Sequence, residues 1–334
     1  MPKLPNNNFS DTIYLVNKKL LIGFIILLLL AVVVLIIVFF VWPSKPTPSP
    51  ERTGQNKIGT KDSSWQAGQV AVAGNYADAD VIALGDGRYR LYYSLEPEVS
   101  GFKGQVYSAI SSDGKKWAEE KGTRMEQATF PSVLKLPDGK FRMYYQNASV
   151  IKSAISSDGL SWNEESGTRV DTTSTAGLSL TTVGAPTVEK IEDKYVMVYF
   201  GAINEKYTGA GMVPNNETHP LLWATSPDGL TFEKKGIALD SRNSKFKGWM
   251  DGPELVAWGS NEVRLYFWGY AGIYYSTFAD WKFSDPTLTF AAPNSGNMLF
   301  PPNPPGDPTL VKIGQTWFMY YGQHEKGIFY TTLK

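Results

Sequence analysis

No cysteine occurs in the 334 residues, and histidine is limited to His219 and His324. The first absence excludes a disulfide framework and a thiolate metal site; the second excludes a multi-histidine zinc centre. There is no excess of either charge: 32 basic and 32 acidic residues cancel. The broad basic footprint of a nucleic-acid-binding protein is therefore missing. Long apolar runs are confined to one place near the N-terminus. Elsewhere no run is long enough for a helix.

Aromatic residues are abundant, with 10 Trp, 18 Tyr and 17 Phe. They fall in short alternating runs. Between Pro131 and Trp162 three such runs are punctuated by Pro137-Asp138-Gly139 and Asp158-Gly159. Period-two apolar runs broken by Asp-Gly predict antiparallel strands joined by hairpins. The pattern recurs at Val81, Pro186, Pro253 and Asp307, giving five copies. A repeat of about fifty residues with four short strands is that of a propeller blade. A solenoid is the alternative, but hairpin turns favour radial blades. The expectation is an all-β chain: a five-bladed β-propeller preceded by a single N-terminal transmembrane helix.

The apolar stretch Leu20–Trp42 predicts that helix. At about 1.5 Å per residue it reaches across a bilayer core of about 30 Å. Lys18 and Lys19 on its N-terminal side place residues 1–19 in the cytoplasm as a tail, and the rest outside. A cleaved signal peptide is the competing reading, but the run is long for one and no Ala-x-Ala site follows. A buried core helix would need a polar face that the stretch lacks. The chain is thus expected in the cell membrane, single-pass, with its C-terminal domain extracytoplasmic. Residues 43–61 are proline-rich and polar, a semi-rigid linker. Residues 62–334 form the propeller. The fifth copy ends without its fourth strand, and Trp65–Ala73 resembles the missing piece; that segment is expected to close the ring and remove an open sheet edge.

Strand direction alternates within a blade, so the Asp-Gly hairpins fall on one face. Asp113, Asp158 and Asp228, in turns of the form Ser-x-Asp-Gly, read as satisfying turn backbone groups. The opposite face takes the entries to the first strands: ADADV with Asp80, ATFPSV with Phe130, GAPTV with Ala185, WMDGPEL with Asp251, and GDPTL with Asp307. Both histidines and the long loop from Gly201 fall there too. Asp80, Asp251 and Asp307, with Glu254 nearby, are the candidate catalytic carboxylates. Like charges converging on one axis raise at least one pKa, giving an acid and a base from one residue type. A cap on each inter-blade link is the plainer reading of any single aspartate. Tyr207, His219, Trp268, Tyr270 and His324 are candidate substrate-binding residues, the aromatic rings as platforms for sugar faces.

At these residues the chain resembles the five-bladed propeller glycosidases: arabinanases, β-xylosidases, α-arabinofuranosidases and fructan-hydrolysing relatives. The carriers are the Asp-Pro-Thr strand start at Asp307, the LPDGKFRMYY hairpin, and Asp251-Gly252-Pro253-Glu254-Leu255. The resemblance covers about Asn75 to the C-terminus. It implies a carbohydrate partner and two-carboxylate hydrolysis. By it, Asp80 matches the first-blade base or nucleophile, while Phe130 and Ala185 stand where the second and third blades carry Asp and the acid Glu. Asp251, Asp307 and Asp80 then form a permuted set around the ring, with Asp251 or Glu254 as acid. No organic cofactor is implied; a central calcium ion near His324 is. The competing readings are a non-catalytic carbohydrate-binding or adhesion propeller and a protein scaffold.

Overall fold

The computed structural model describes Trp65 and residues 68–206, 217–259, 262–291 and 305–333. The anchor, the linker and Tyr207 lie outside the described residues. Among the described residues there is no helix, and so none long and apolar enough to cross a membrane. The strands form five antiparallel sheets. Each is a blade with its first strand innermost, and the five innermost strands are Tyr76–Ala83, Thr129–Lys135, Leu180–Ile191, Asp251–Gly259 and Gly306–Ile313. The all-β five-bladed propeller is thus observed.

The ring closes with the outer strand of the fifth blade, Gln69–Ala73, paired to Gly327–Leu333 with Ala73 opposite Gly327. Of the described residues in the Trp65–Ala73 stretch, Gln69–Ala73 are strand and Trp65 and Gly68 are not. Trp65 instead buries its ring and donates its indole N–H to Thr289 Oγ1 of the fourth blade. A bulky ring gains more from the apolar seam between blades than from an edge strand.

Every innermost strand carries one bulge at the same place. The register shifts between Ala77 and Asp80, Thr129 and Ser132, Gly184 and Thr187, Asp251 and Glu254, and Gly306 and Thr309. At its first residue the backbone takes positive φ: Asp78 53°, Phe130 50°, Ala185 44°, Gly252 53° and Asp307 48°. Four of the five following residues are proline, which a bulge tolerates because no ladder N–H is needed there.

The seams between blades repeat as well. In the turn at Asp158, Oδ1 accepts from the N–H groups of Leu160 and Ser161. Asp113 and Asp228 do the same. These bonds lower the Asp158 and Asp228 carboxyls to about 2. Each turn also accepts a tyrosine hydroxyl from the preceding blade: Tyr320 to Gly114 O, Tyr92 to Gly159 O, and Tyr144 to Gly229 O. Among the described residues the fourth and fifth blades have no such turn. Their seam is packed by Trp258 stacked on Trp317 at 4.3 Å, with the Arg264 guanidinium 4.0 Å above Trp258.

Candidate active site

The aligned bulges define two rings of side chains around the axis. The first comprises Asp78, Phe130, Ala185, Gly252 and Asp307. The second, two residues further on, comprises Asp80, Ser132, Thr187, Glu254 and Thr309. All of the first ring, with Asp80 and Glu254, lines an axial cavity of about 20 Å³, room for about one water.

The second ring is a belt. Asp80 Oδ2 accepts from Val133 N at 3.0 Å, Ser132 Oγ from Val188 N at 3.2 Å, Thr187 Oγ1 from Leu255 N at 2.9 Å, and Thr309 Oγ1 from Val81 N at 3.0 Å. Each of these four members thus receives an N–H from the next blade. Glu254 completes the circle by accepting from Thr187 Oγ1 at 3.1 Å and Thr309 Oγ1 at 3.0 Å. Burial pushes the Asp80 carboxyl up to about 8, against the Val133 bond that lowers it. Burial, and then the Asp80 charge, raise Glu254 well above the usual range. Asp80 and Glu254 therefore join blade to blade at the axis.

This corrects the alignment drawn from sequence. The residue equivalent to Asp307, Phe130 and Ala185 is Asp78, not Asp80; Asp80 is the counterpart of Thr309. The signal was present in Asp78-Ala-Asp80, which has the spacing of Asp307-Pro-Thr309. Alanine in place of proline hid it.

Three carboxylates meet at the first ring and its rim. Asp78 and Asp307 are half-buried at the channel mouth, while Asp251, one residue before the bulge, is 5% exposed. Burial pushes Asp78 up to about 7; bonds to Ser94 and Phe130 N lower it, and the charges of Asp251 and Glu96 add to the rise. Burial raises Asp307 well above its ordinary value, followed by the charges of Asp78 and Asp251. The three share one field.

Aromatic residues hold this cluster. Trp268 donates its indole N–H to Asp307 Oδ1 at 3.0 Å. His219 is stacked between Phe200 at 4.6 Å and Trp249 at 4.0 Å, with Nδ1 3.2 Å from Asp251 Oδ2. Asp251 Oδ1 accepts from Gly252 N at 2.8 Å. Tyr270 is 6% exposed and packs with Trp249 and Trp268. His219 and Tyr270 are thus interior supports whose ring faces are covered, whereas the sequence suggests open platforms. His324 stands at the seam of the first and fifth blades, 3.4 Å from Glu96. Gly252 has a spatial reason: a Cβ there would lie 2.3 Å from Asp307 Oδ1.

Among the described residues one group of three could hold a metal ion, Glu96, Glu98 and His324, with donor atoms within 4.8 Å of one another. Both Glu96 oxygens already accept from Glu325 N, at 2.9 and 3.1 Å, so this carboxylate has a structural task of joining two blades. Among the described residues no such group lies at the axis, where the side-chain oxygens of Asp80, Ser132, Thr187, Glu254 and Thr309 bond to one another and to backbone N–H groups.

The chain is similar in structure to a thermostable family-43 glycoside hydrolase, at 18% identity and TM-score 0.56, over 79% of this chain and 90% of that one. This is the fold of the five-bladed glycoside hydrolase propellers. A GH43_1 enzyme from Xanthomonas citri aligns at 14% identity, TM-score 0.55, covering 79% and 91%. A β-1,2-mannobiose phosphorylase from Listeria innocua aligns at 14% identity, TM-score 0.55, covering 78% and 90%. No family model matches the sequence, and no curated protein does.

Proposed function

We propose that the propeller is a glycoside hydrolase whose site is Asp78, Asp251 and Asp307. The observation that carries this is the convergence of three carboxylates from blades one, four and five: the charge of Asp251 raises Asp78, and the charges of Asp78 and Asp251 raise Asp307. Asp78 holds its proton to about 7 and stands half-buried at the channel mouth, as suits a general acid. It would protonate the glycosidic oxygen as the bond to the anomeric carbon breaks. Asp251, fixed by His219 and by its own bond to Gly252 N, is placed as the base that takes a proton from the attacking water, or as the nucleophile. Asp307, held by Trp268, is the auxiliary group. Asp80 and Glu254 support the ring beneath them.

The test is turnover of aryl-glycoside and polysaccharide panels by the wild type, Asp78→Asn and Asp251→Asn. Loss of about 10²-fold or more in kcat in each variant is expected. Turnover undiminished in Asp78→Asn sinks the assignment.

A second reading has its own observation. Phe130 and Ala185 fill the first-ring positions of blades two and three, where the resembling family carries an acid and a carboxylate. A propeller that binds glycans without cleaving them fits that loss of the second-blade Asp and the third-blade acid Glu. Binding without turnover in any variant would select it.

We further propose that Leu20–Trp42 tethers the domain to the membrane with the propeller outside the cell. The length of that apolar run and Lys18 and Lys19 before it support this. Protease accessibility of the propeller in intact cells tests the orientation; protection from added protease opposes it.

A further inference from the structure

His219 is buried in a slot between the rings of Phe200 and Trp249. Backbone bonds fix it there: its N–H donates to Gly248 O at 2.8 Å, and Met250 N donates to His219 O at 3.2 Å. The two ring nitrogens face different carboxylates. Nδ1 lies 3.2 Å from Asp251 Oδ2, and Nε2 lies 3.7 Å from Glu217 Oε2. Nε2 is buried and makes no hydrogen bond. The Glu217 side chain is 29% exposed, and its Oε1 accepts from Thr181 Oγ1 at 3.3 Å. Nothing in the assignment of acid and base uses Glu217.

A neutral imidazole has a single N–H. In this slot it would leave the lone pair of its other nitrogen facing a carboxylate oxygen. Protons on both nitrogens serve both carboxylates. The flanking rings favour the same form, because a cation over an aromatic face is attracted by the ring quadrupole. A buried charge is costly unless it is paired, and this one has a partner at each end. The neighbouring charges are engaged elsewhere. In the segment that brings Trp249, Arg242 pairs with Asp240 at 2.9 Å, while Lys245 and Lys247 lie over the rings of Phe246 and Tyr270 at 5.1 and 5.4 Å. Among the described residues the ion pairs of the imidazole are with Asp251 and Glu217.

We propose that His219 is an imidazolium held between Glu217 and Asp251, and that Glu217 is thereby a positioning residue for Asp251. The inference rests on the reading of Asp78, Asp251 and Asp307 as a glycoside site. It adds the reason why three carboxylates in one field divide their tasks. Among the described residues Asp251 is the one of the three in an ion pair. A cation beside it favours its charged form. Asp251 is therefore the member that takes the proton of the attacking water or attacks the anomeric carbon, while Asp78 keeps the proton it delivers to the leaving oxygen. Glu217 sets this division from the far side of the ring, without touching substrate.

The chain has two histidines, so isotope-labelled histidine gives two imidazole signals in nitrogen NMR of the full-length protein, and the one that persists in His324→Gln is His219. At neutral pH the wild type is expected to carry protons on both His219 nitrogens, and Glu217→Gln on one. Glu217→Gln should also lower kcat about ten-fold on a glycoside that the wild type turns over, with KM unchanged, because the lost charge acts on the reacting group and not on substrate binding. A merely structural Glu217 would leave the His219 signal as it is. A neutral His219 in the wild type, an imidazolium that persists in Glu217→Gln, or a kcat unchanged by that substitution overturns the inference and leaves the carboxylate site intact. A wild type without turnover, whose imidazolium loses a proton in Glu217→Gln, sinks the glycoside reading and leaves the charge pairing standing.

Discussion

Gly252 shows how one residue constrains the site. Its φ is positive, but Asp78, Phe130, Ala185 and Asp307 take the same conformation in the other blades, so the backbone alone does not demand glycine. Space does, because an added Cβ would meet Asp307 Oδ1 at 2.3 Å. Gly252→Ala should therefore displace Asp307 and cut turnover by about 10²-fold, the scale of a misplaced catalytic group, with the fold retained by circular dichroism. Asp80 makes a different prediction. The folded chain keeps its proton up to about 8, whereas an unfolded aspartate loses it near about 3.9. Between those values the native state binds more protons, so the contribution of this group to stability falls as pH rises. Asp80→Asn keeps an acceptor for Val133 N and cannot ionise. Its Tm should exceed the wild type's at pH 8.5, with a smaller difference at pH 5; an unchanged difference would place Asp80 outside the belt's titration.

At the scale of elements, the Ser-x-Asp-Gly turns tie neighbouring blades together as well as turning the chain within one. Their local chemistry was legible in sequence, since an aspartate two residues before the donor N–H groups caps them wherever the chain turns this way. That each turn also accepts a tyrosine from the preceding blade was not, because Tyr144 and Gly229 are 85 residues apart. Tyr144→Phe removes that one bond and should cost about 1 kcal/mol in denaturant unfolding. No loss would make the seam a matter of apolar packing alone. At the seam of blades four and five stacked rings, Trp258 on Trp317, take the place of that turn. The same limit explains the candidate platforms: His219 and Tyr270 sit in loop-rich sequence on the expected face, yet neighbouring aromatic rings cover them.

At the scale of the molecule, the pairing of Gln69–Ala73 with Gly327–Leu333 joins the first described strand to the last and covers the edge that Gly327–Leu333 would otherwise expose. Deleting residues 1–58 should leave Tm unchanged by differential scanning calorimetry. Deleting residues 1–74 should lower it by several degrees or cause association through the opened edge. Equal melting of the two truncations would show that the strand is dispensable.

The amino-acid sequence by itself determined the blades, their number and their turns, because alternation of apolar residues and Asp-Gly hairpins act over a few neighbouring positions. It also marked Asp251 and Asp307 as residues of the open face. Only the tertiary structure decided that Asp78 joins them while Asp80 and Glu254 form the belt beneath. A bulge shifts a strand by one residue, and whether a side chain then meets the channel mouth or the next blade's N–H depends on strands brought together from opposite ends of the chain.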